Sequence, residues 1–324
     1  MRRRLIALAA TSAAVALAGC GTTEPAASDS ASSSARSITL TDATGTKVDL
    51  DGPAKKVVGT EWDVIEHLVS LGVQPVGVAD IKGYTAWDAS APLTGSPKDI
   101  GTRGEPSMDT VAALAPDLIV ANTDLPTSAV KQLRKIAPVL TVDSADSADQ
   151  IGRMEGNLEL IAEATGTTAK ADELKKAFDA KVAEGKKALA DAGLADREIA
   201  FADGYVVSNQ VSVRPYTSGS LIGAVNEAIG LKNAWTIEGD KDYGLGTTDV
   251  EGLSDLGDVE FAYIGNDSES SDPFAQDLAK NSVWTSLPFV KKDNVHKLSD
   301  GIWMFGGALS MEAYIDAVVG ALTK

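Results

Sequence analysis

The sequence predicts an α/β protein with two similar lobes joined by one long helix. Residues 101–121 have the order loop, short helix and buried strand, and residues 249–264 repeat that order late in the chain. Between them, apolar residues recur every three or four positions from 147 to 165, with no Gly–Pro break. Since one α/β core seldom needs the same edge twice, we expect one such unit in each lobe.

The first 20 residues have the pattern of a lipoprotein signal peptide. Arg2, Arg3 and Arg4 precede an apolar run that is too short to span a bilayer as a permanent helix. The run ends at Cys20, the only cysteine of the chain, in a Leu-Ala-Gly-Cys sequence that resembles a bacterial lipobox. We therefore expect a lipid anchor at Cys20, where two acyl chains suffice for stable attachment to the membrane. The alternative is ordinary secretion, in which Cys20 leaves with the leader.

Residues 21–36 are rich in Ser, Ala, Thr and Pro and are predicted to form a low-complexity tether. The rest of the chain is acidic: losing the three leader arginines changes the formal net charge from −17 to −20. This charge argues against nucleic acid or an anionic membrane surface as a partner. It suits a cationic or neutral ligand, and equally a basic protein. With Cys20 lipidated, no cysteine remains for a disulfide or a thiolate metal site.

The N-terminal lobe is predicted over residues 37–146. It begins with a β-hairpin at 37–50, followed by a strand at 56–60, a helix at 61–71 and a strand at 75–79, which is the order of a parallel sheet. In the 101–121 unit, Ser107 is the expected helix N-cap and Asp109 lies in the first turn, where a carboxylate is favoured. Pro116 ends this helix, and the apolar run after it is a strand covered on both faces.

Residues 147–167 are predicted to form the inter-lobe helix, a stiff connector that permits only slight closure. The C-terminal lobe then covers residues 168–324. It begins with a second long helix at 169–192 and ends with a helix at 311–322. Its strands are expected at 198–202, 261–264 and 295–298.

Four features, in this order, resemble the substrate-binding lipoproteins of iron–siderophore ABC importers, a group that includes ferric-hydroxamate and cobalamin binders. They are the lipobox, the run Arg103-Gly104-Glu105-Pro106-Ser107-Met108-Asp109 leading into 115–119, the run 216–221 leading into 229–231, and Ile302-Trp303-Met304-Phe305-Gly306-Gly307. The resemblance covers essentially all of the chain after the tether.

The resemblance implies two rigid Rossmann-like lobes, joined by one long helix, with a shallow ligand cleft between them. It implies a non-enzymatic protein on the extracytoplasmic face of the cell membrane that delivers a ferric siderophore to an ABC importer permease. The ligand arrives already chelated, so no cofactor and no protein ligand to a metal are expected. We expect a monomer.

Particular residues take roles from the same resemblance. Arg103 stands where family members hydrogen-bond the iron-coordinating oxygens, and Arg214 where many place a second-lobe arginine or aromatic. Asp109 and Glu251 match the two acids that dock on the permease. At 122–124 the sequence is Asn-Thr-Asp, where some hydroxamate binders have a tyrosine. Each role has a plainer alternative: a solvated charge for the arginines, and stabilisation of its own helix by about 0.3–1 kcal/mol for each acid.

A ferric siderophore offers a large apolar shell, so the cleft needs flat aromatic walls and a few hydrogen-bond donors. Six aromatic residues in predicted loops or beside glycines suit this role; packing between loops is the alternative. They are Trp62, Tyr84, Trp87, Tyr216, Tyr243 and Trp303. Trp235 and Trp284 have the pattern of packing residues.

The charge narrows the ligand class. A tris-catecholate is highly anionic and calls for a basic cluster, whereas this very acidic protein offers only two candidate ligand-binding arginines, Arg103 and Arg214. The charge therefore favours a neutral or singly cationic tris-hydroxamate of the ferrioxamine type. Catecholates, haem, cobalamin and ferric citrate remain alternatives on the same scaffold.

Three other functions fit the sequence less well. An enzyme is disfavoured because there is no Gly-x-Ser-x-Gly elbow and the only histidines, His67 and His296, fall in a predicted helix and strand. A binder of free zinc or manganese needs more His or Cys ligands than this chain holds. The paired lobes argue against a purely structural or adhesive lipoprotein.

Overall fold

The computed structural model describes residues 37–208 and 210–324, and this part of the chain begins with the predicted β-hairpin. Strands β1 (Ile38–Thr41) and β2 (Lys47–Leu50) pair in antiparallel fashion. The Asp42 carboxylate accepts hydrogen bonds from the amides of Thr44 and Thr46, at 2.9 and 2.8 Å, which closes the turn. The predicted signal peptide, Cys20 and the tether lie outside the described residues.

The first lobe is built on a five-stranded parallel sheet with the order β5-β4-β3-β6-β7. Its strands are β3 (Val57–Gly59), β4 (Gly77–Val78), β5 (Lys98–Asp99), β6 (Leu118–Asn122) and β7 (Val139–Val142). Helices α1 (Trp62–Ser70), α2 (Ile81–Trp87), α3 (Met108–Leu114) and α4 (Thr127–Leu133) connect them. Every residue of β6 and β7 is buried, as expected for a parallel sheet covered on both faces.

The chain leaves β3 toward β4 and β5 on one side, then returns to place β6 and β7 on the other. The carboxyl ends of β3 and β6 therefore lie next to each other while the connections after them run in opposite directions. In an open α/β sheet this is the crevice in which ligands bind. The sheet order thus directs the residues after Gly59 and after Asn122 to one place.

The second lobe repeats this arrangement. Strands β10 (Lys232–Asn233), β8 (Glu198–Val207), β11 (Glu260–Tyr263) and β12 (Val295–Lys297) lie in that order and are parallel. Strand β9 (Gln210–Pro215) folds back antiparallel on the end of β8. The sequence predicted β8 only as far as residue 202 and did not predict β9.

The two predicted loop–helix–strand units are both present but differ in their helices. In the first, Ser107 caps α3 by accepting the amide of Thr110 at 3.3 Å, and the helix ends at Ala115, whose φ is 44°. In the second, the helix before β11 is a 3₁₀ helix of five residues, Glu251–Asp255, rather than an α-helix. The repeat is therefore one of element order, with a tighter helix in the second lobe.

The predicted connector is helix α5 (Gln150–Thr165), and it belongs to both cores. Met154, near its start, packs among the buried residues of the second lobe, while Leu158, Ile161 and Ala162 pack among those of the first. Asp149 caps its start, accepting the amide of Gly152 at 3.0 Å. The helix is therefore held by the packing of both lobes.

The remaining helices cover the second lobe. They are α6 (Thr168–Asp191), α7 (Leu221–Ala228), α8 (Pro288–Lys291) and α9 (Ala308–Leu322). The described residues all belong to one compact unit. Within the described residues, no helix combines the length and the apolar character needed to cross a membrane.

Candidate functional site

A cavity of about 780 Å³ lies where the carboxyl ends of the two sheets face each other. Glu61 and Trp62 reach it from the end of β3, and Asn122 from the end of β6. The opposite wall comes from β8, β9 and the loop 302–307 of the second lobe. Six of the eight ligand-contact residues expected from the sequence line this cavity. They are Trp62, Trp87, Arg103, Arg214, Tyr243 and Trp303.

Arg103 is held in place by a carboxylate and two indole rings. Its Nη1 donates to Glu61 Oε1 at 2.7 Å, and Glu61 in turn caps α1 by accepting the Trp62 amide at 2.9 Å. The guanidinium carbon lies 4.0 Å from the centre of the Trp62 ring and 5.5 Å from that of Trp303. Stacking and the ion pair together fix the guanidinium plane against the cavity wall.

Arg214 is held similarly on the second lobe. It stands opposite Asp203 in the β8–β9 ladder, and the two side chains form a two-pronged ion pair, with Nε donating to Oδ1 at 2.9 Å and Nη2 donating to Oδ2. The guanidinium also lies 5.5 Å from the ring of Phe305. A forked pair of this kind fixes direction as well as position, so Arg214 is oriented by its partner, as Arg103 is by its ion pair and ring contacts.

The aromatic side chains form a connected row along the cavity. The Trp303 ring lies 4.8 Å from Trp62, 6.3 Å from Trp87 and 5.1 Å from Phe305. Phe305 in turn lies 5.5 Å from Tyr243. Most of these contacts are edge to face, which leaves ring surface toward the cavity for an apolar ligand.

Two expected contacts, Tyr84 and Tyr216, do not lie on the cavity wall. Gly83 beside Tyr84 suggested a loop, but it lies within α2, and Tyr84 packs against Ile65 and Val78 with its hydroxyl donating to the Ala91 carbonyl at 2.5 Å. Tyr216 directly follows β9 and is fully buried in the second core.

Tyr216 still contacts the site from behind. Its hydroxyl lies 3.3 Å from Asp203 Oδ2 and 3.4 Å from Arg214 Nη2. Burial, together with the nearby Asp203 carboxylate, raises the pKa of Tyr216 well above its usual value, so the phenol stays protonated. Tyr216 therefore supports the Arg214–Asp203 pair.

A hydrogen bond crosses the cavity between the lobes. The Tyr243 hydroxyl, from the second lobe, donates to Asp124 Oδ2, in the loop after β6. Asp63, in the first turn of α1, lines the same region and is only 6 % exposed. Burial, and then the negative charges of Glu61 and Asp124, raise the pKa of Asp63 well above its usual value.

Sequence reasoning missed several lining residues, most of them carboxylates or amides. They include Glu61, Asp63, Asp80, Asn122, Asp124, Ser144, Asp203, Leu245, Met304 and Phe305. A signal for some was available: Glu61, Asp80 and Asn122 sit at or just beyond the carboxyl ends of predicted strands, where ligand-binding side chains collect in α/β sheets.

The remaining sequence-selected residues lie away from the cavity. Asp109 and Glu251 are exposed, each in the first turn of its helix. Trp235 and Trp284 are buried in the second lobe, as predicted for packing residues. Across residues 37–208 and 210–324, no three His, Cys, Asp or Glu side chains are grouped so that they could hold a metal ion.

Comparison with known proteins places this geometry in a family. The chain is 27% identical over 313 residues to the probable siderophore-binding lipoprotein YfiY of Bacillus subtilis, covering 94% of this chain and 92% of that protein. The Fe3+–Desferal-bound siderophore-binding protein FhuD of Vibrio cholerae superposes with a TM-score of 0.74 at 27% identity, covering 83% of this chain and 98% of that one.

A third similarity concerns the fold alone. The triscatecholate siderophore binding protein FeuA of Bacillus subtilis, solved with ferri-bacillibactin, has a TM-score of 0.70 at 20% identity and covers 88% of this chain and 98% of that one. The periplasmic binding protein family itself matches residues 57–300, which include both sheets. With two Rossmann-like lobes, a connecting helix and a cavity between the sheets, the chain belongs to the periplasmic binding protein family.

Proposed function

We propose that this protein is an extracytoplasmic substrate-binding lipoprotein that captures a ferric siderophore and delivers it to an ABC importer. The ligand is a tris-hydroxamate of the ferrioxamine type. The observation that carries this proposal is the pair of pre-oriented guanidiniums, Arg103 and Arg214, set in a row of aromatic rings around one cavity.

The shape of the cavity supports a pre-chelated ligand. A volume of about 780 Å³ is within the range of sites that enclose a drug-sized molecule. Indole and phenyl surfaces fit the apolar outer shell of a chelate, and guanidinium N–H groups fit the chelating oxygens at its pole. The metal then needs nothing from the protein, and no step of catalysis follows from the arrangement.

The charge of the cavity supports a hydroxamate over a catecholate. Its lining holds five carboxylates and two guanidiniums, and each guanidinium is already paired with one of the carboxylates. A highly anionic tris-catecholate would meet a net negative wall. That wall repels an anionic chelate and does not repel a neutral or cationic one.

The relatives support the broad ligand class and leave the chelate type to experiment. YfiY and the Vibrio cholerae FhuD both carry siderophore binding in their names, and the latter holds Fe3+–Desferal. FeuA holds a tris-catecholate on the same fold, so fold alone does not choose the ligand.

The proposal extends to the whole chain. Residues 1–20 serve as signal peptide, Cys20 as the lipid attachment site at the cell membrane, and residues 21–36 as a tether. The N-terminal lobe covers 37–146, the connecting helix 147–167 and the C-terminal lobe 168–324. Asp109 and Glu251, one on each lobe, dock on the permease, and the protein acts as a monomer.

Tryptophan fluorescence provides the test, because Trp62, Trp87 and Trp303 all line the cavity. The protein from residue 21 onward is titrated with ferric tris-hydroxamates, ferric tris-catecholates, ferric citrate, haem and cobalamin. We expect a ferrioxamine to quench the fluorescence with a Kd of about 1 nM, which corresponds to a binding free energy of roughly −12 kcal/mol. If another member of the panel binds with a lower Kd, that chelate is the ligand instead of the ferrioxamine.

Two arginine variants separate a specific contact from general damage. Arg103→Ala should weaken binding by about 10- to 100-fold, as expected for losing a charge-assisted hydrogen bond. Arg197→Ala is the matched control, because Arg197 pairs with Glu260 at 2.9 Å and neither residue lines the cavity. Equal loss in both variants would contradict the role of Arg103.

A further inference from the structure

Asp63 is a buried carboxylate with an unused oxygen at one end of the cavity. The side chain is 6 % exposed, and its Oδ1 has no hydrogen-bond partner within the described residues. A buried acceptor without a partner costs about 1–3 kcal/mol, and more if it is charged. Such a group is expected to have a partner in the working protein.

A small chamber adjoins the cavity at this end. It has a volume of about 20 Å³ and shares four wall residues with the main cavity, namely Asp63, Ser144, Tyr243 and Phe305. Its other polar walls come from His67, Gln150 and Asn157. A space of this size holds one water molecule or one group of similar size, such as a protonated amine.

The charges around the chamber favour a cation. Glu61 and Glu66 on the same segment and Asp124 on the loop after β6 all act on Asp63, and each raises its pKa, after the larger effect of burial. His67 brings no positive charge near neutral pH, since burial lowers its pKa to about 4. Tyr243, whose own pKa is raised by burial and by Asp124, remains a neutral phenol. Ser144, Gln150 and Asn157 carry no charge.

We propose that Asp63, together with Asp124, forms a subsite for a protonated primary amine carried by the ferric chelate. This inference rests on the proposed function, because it assigns one end of the chelate to one end of the cavity. The chelate body lies against the aromatic row, and its amine-bearing chain reaches past Tyr243 toward the chamber.

The present hydrogen bond between Tyr243 and Asp124 shows what the amine replaces. The phenol donates one hydrogen bond to the Asp124 carboxylate. A primary ammonium has three donors and a full positive charge, so it can serve Asp124 and Asp63 together. Its pKa, about 10, keeps it charged near neutral pH.

The subsite also links binding to protons. Because its pKa is raised, the Asp63 carboxyl of the free protein keeps its proton to higher pH than an ordinary aspartate does, and an adjacent cation lowers that pKa. The amine-bearing chelate should therefore release protons on binding, and its affinity should rise with pH through the titration of Asp63. A chelate without the charged amine should release few protons on binding, and its affinity should depend little on pH.

A matched pair of ligands tests this directly. One is a linear ferric tris-hydroxamate with a free terminal amine, and the other is its N-acetyl derivative, which keeps the iron shell and loses the charge. We expect the wild-type protein to bind the amine form about tenfold or more tightly. Calorimetry in two buffers of different ionisation enthalpy should show proton release for the amine form only.

Two variants locate the effect. Asp63→Asn should reduce the amine preference to about twofold or less, whereas Asp80→Asn, which removes one charge elsewhere on the cavity wall, should keep most of it. Thermal denaturation establishes that both variants are folded. The calorimetric comparison uses wild-type protein and so holds even if Asp63→Asn is unstable.

The outcomes separate the two proposals. Tight and equal binding of both ligands, without differential proton release, would overturn the amine subsite and leave the proposed function standing; the chamber would then hold water. If Asp80→Asn loses the preference for the amine form as fully as Asp63→Asn does, the preference comes from the overall negative charge of the cavity and not from a subsite at Asp63. Binding of neither ligand would overturn the hydroxamate function and this inference with it.

Discussion

Glu66 on α1 accepts two hydrogen bonds from Ser310 on α9 and thereby ties the two lobes together. The Ser310 amide lies 2.9 Å from Glu66 Oε1, and its hydroxyl lies 2.8 Å from Oε2. Both residues are fully buried. A Cβ added to Gly306 would lie 2.1 Å from Oε2, so the loop 302–307 passes directly over this carboxylate. The loop that carries Trp303 and Phe305 is therefore fixed to the first lobe.

Removing this carboxylate should destabilise the whole protein. Glu66→Ala leaves the Ser310 amide buried without an acceptor and leaves its hydroxyl only the 3.4 Å contact with Asp88 Oδ1, so we expect a loss of about 2–4 kcal/mol in the free energy of unfolding. Urea denaturation measures it. Glu227→Ala, at an exposed position of α7, should change stability by no more than about 0.5 kcal/mol. A similar loss in both variants would mean that Glu66 does not join the lobes.

The same cluster predicts how stability depends on pH. Burial, and then the charge of Glu66, raise the pKa of Asp88 to about 9, and burial also raises that of Glu66. Between the unfolded and folded pKa values the folded state holds protons that the unfolded state lacks, so stability falls as pH rises. His67 acts in the opposite direction between about pH 4 and about pH 6.5, because burial lowers its pKa to about 4. Above that range the histidine no longer contributes, and the buried carboxyls dominate the slope up to about pH 9.

We therefore expect the free energy of unfolding to fall from about pH 7 to about pH 9, by up to roughly 1.4 kcal/mol per pH unit for each proton involved. Asp88→Asn should lose much of this slope because the amide does not titrate. Asp172→Asn, at an exposed position of α6, should keep it. Urea unfolding curves at several pH values measure the slopes, and the same slope in Asp88→Asn as in wild type would refute the assignment.

The sequence predicted the fold where local pattern and tertiary role agree. The apolar spacing of Met154, Leu158 and Ile161 indicated α5, and those side chains indeed enter the two cores. Strand β9 was missed because Asp203-Gly204 looks like the end of β8, whereas the strand continues through it and pairs with β9 as a hairpin. Only the antiparallel pairing gives these residues their conformation.

The site could be predicted in part, for the same reason. Arg103 was found because it belongs to a recognisable run of residues. Asp63 was not, since an acid in a first helical turn already has a local explanation, and only the folded protein buries it. Asp203 needs the β8–β9 ladder to meet Arg214. Strand pairing and side-chain burial depend on the tertiary structure, so the spacing of residues in the sequence does not predict them.

Lipidation at Cys20 is tested in cells. Labelling with a radioactive fatty acid should mark the wild-type protein and not Cys20→Ala, because the thiol is the attachment point. Fractionation should then find the wild-type protein with the membrane and the variant released. Equal labelling of the two proteins would end the lipoprotein assignment in favour of ordinary secretion.

Docking on the permease depends on Asp109 and Glu251 under the proposed function. Both carboxylates are exposed and neither lines the cavity, so reversing their charges should leave ligand affinity within about twofold. Each reversal costs its own helix only about 0.3–1 kcal/mol. Asp109→Lys combined with Glu251→Lys should nevertheless abolish uptake of the ferric chelate by cells that depend on this protein.

A second pair of reversals controls for the change in net charge. Asp172→Lys with Glu227→Lys alters the same number of exposed acids on α6 and α7, away from the two proposed docking positions, and should leave uptake near wild type. Uptake and fluorescence titration are measured on all three proteins. Weakened affinity with normal delivery in the Asp109/Glu251 variant would place these acids in ligand binding, and equal loss of uptake in both variants would make overall charge, rather than two contact points, the basis of delivery.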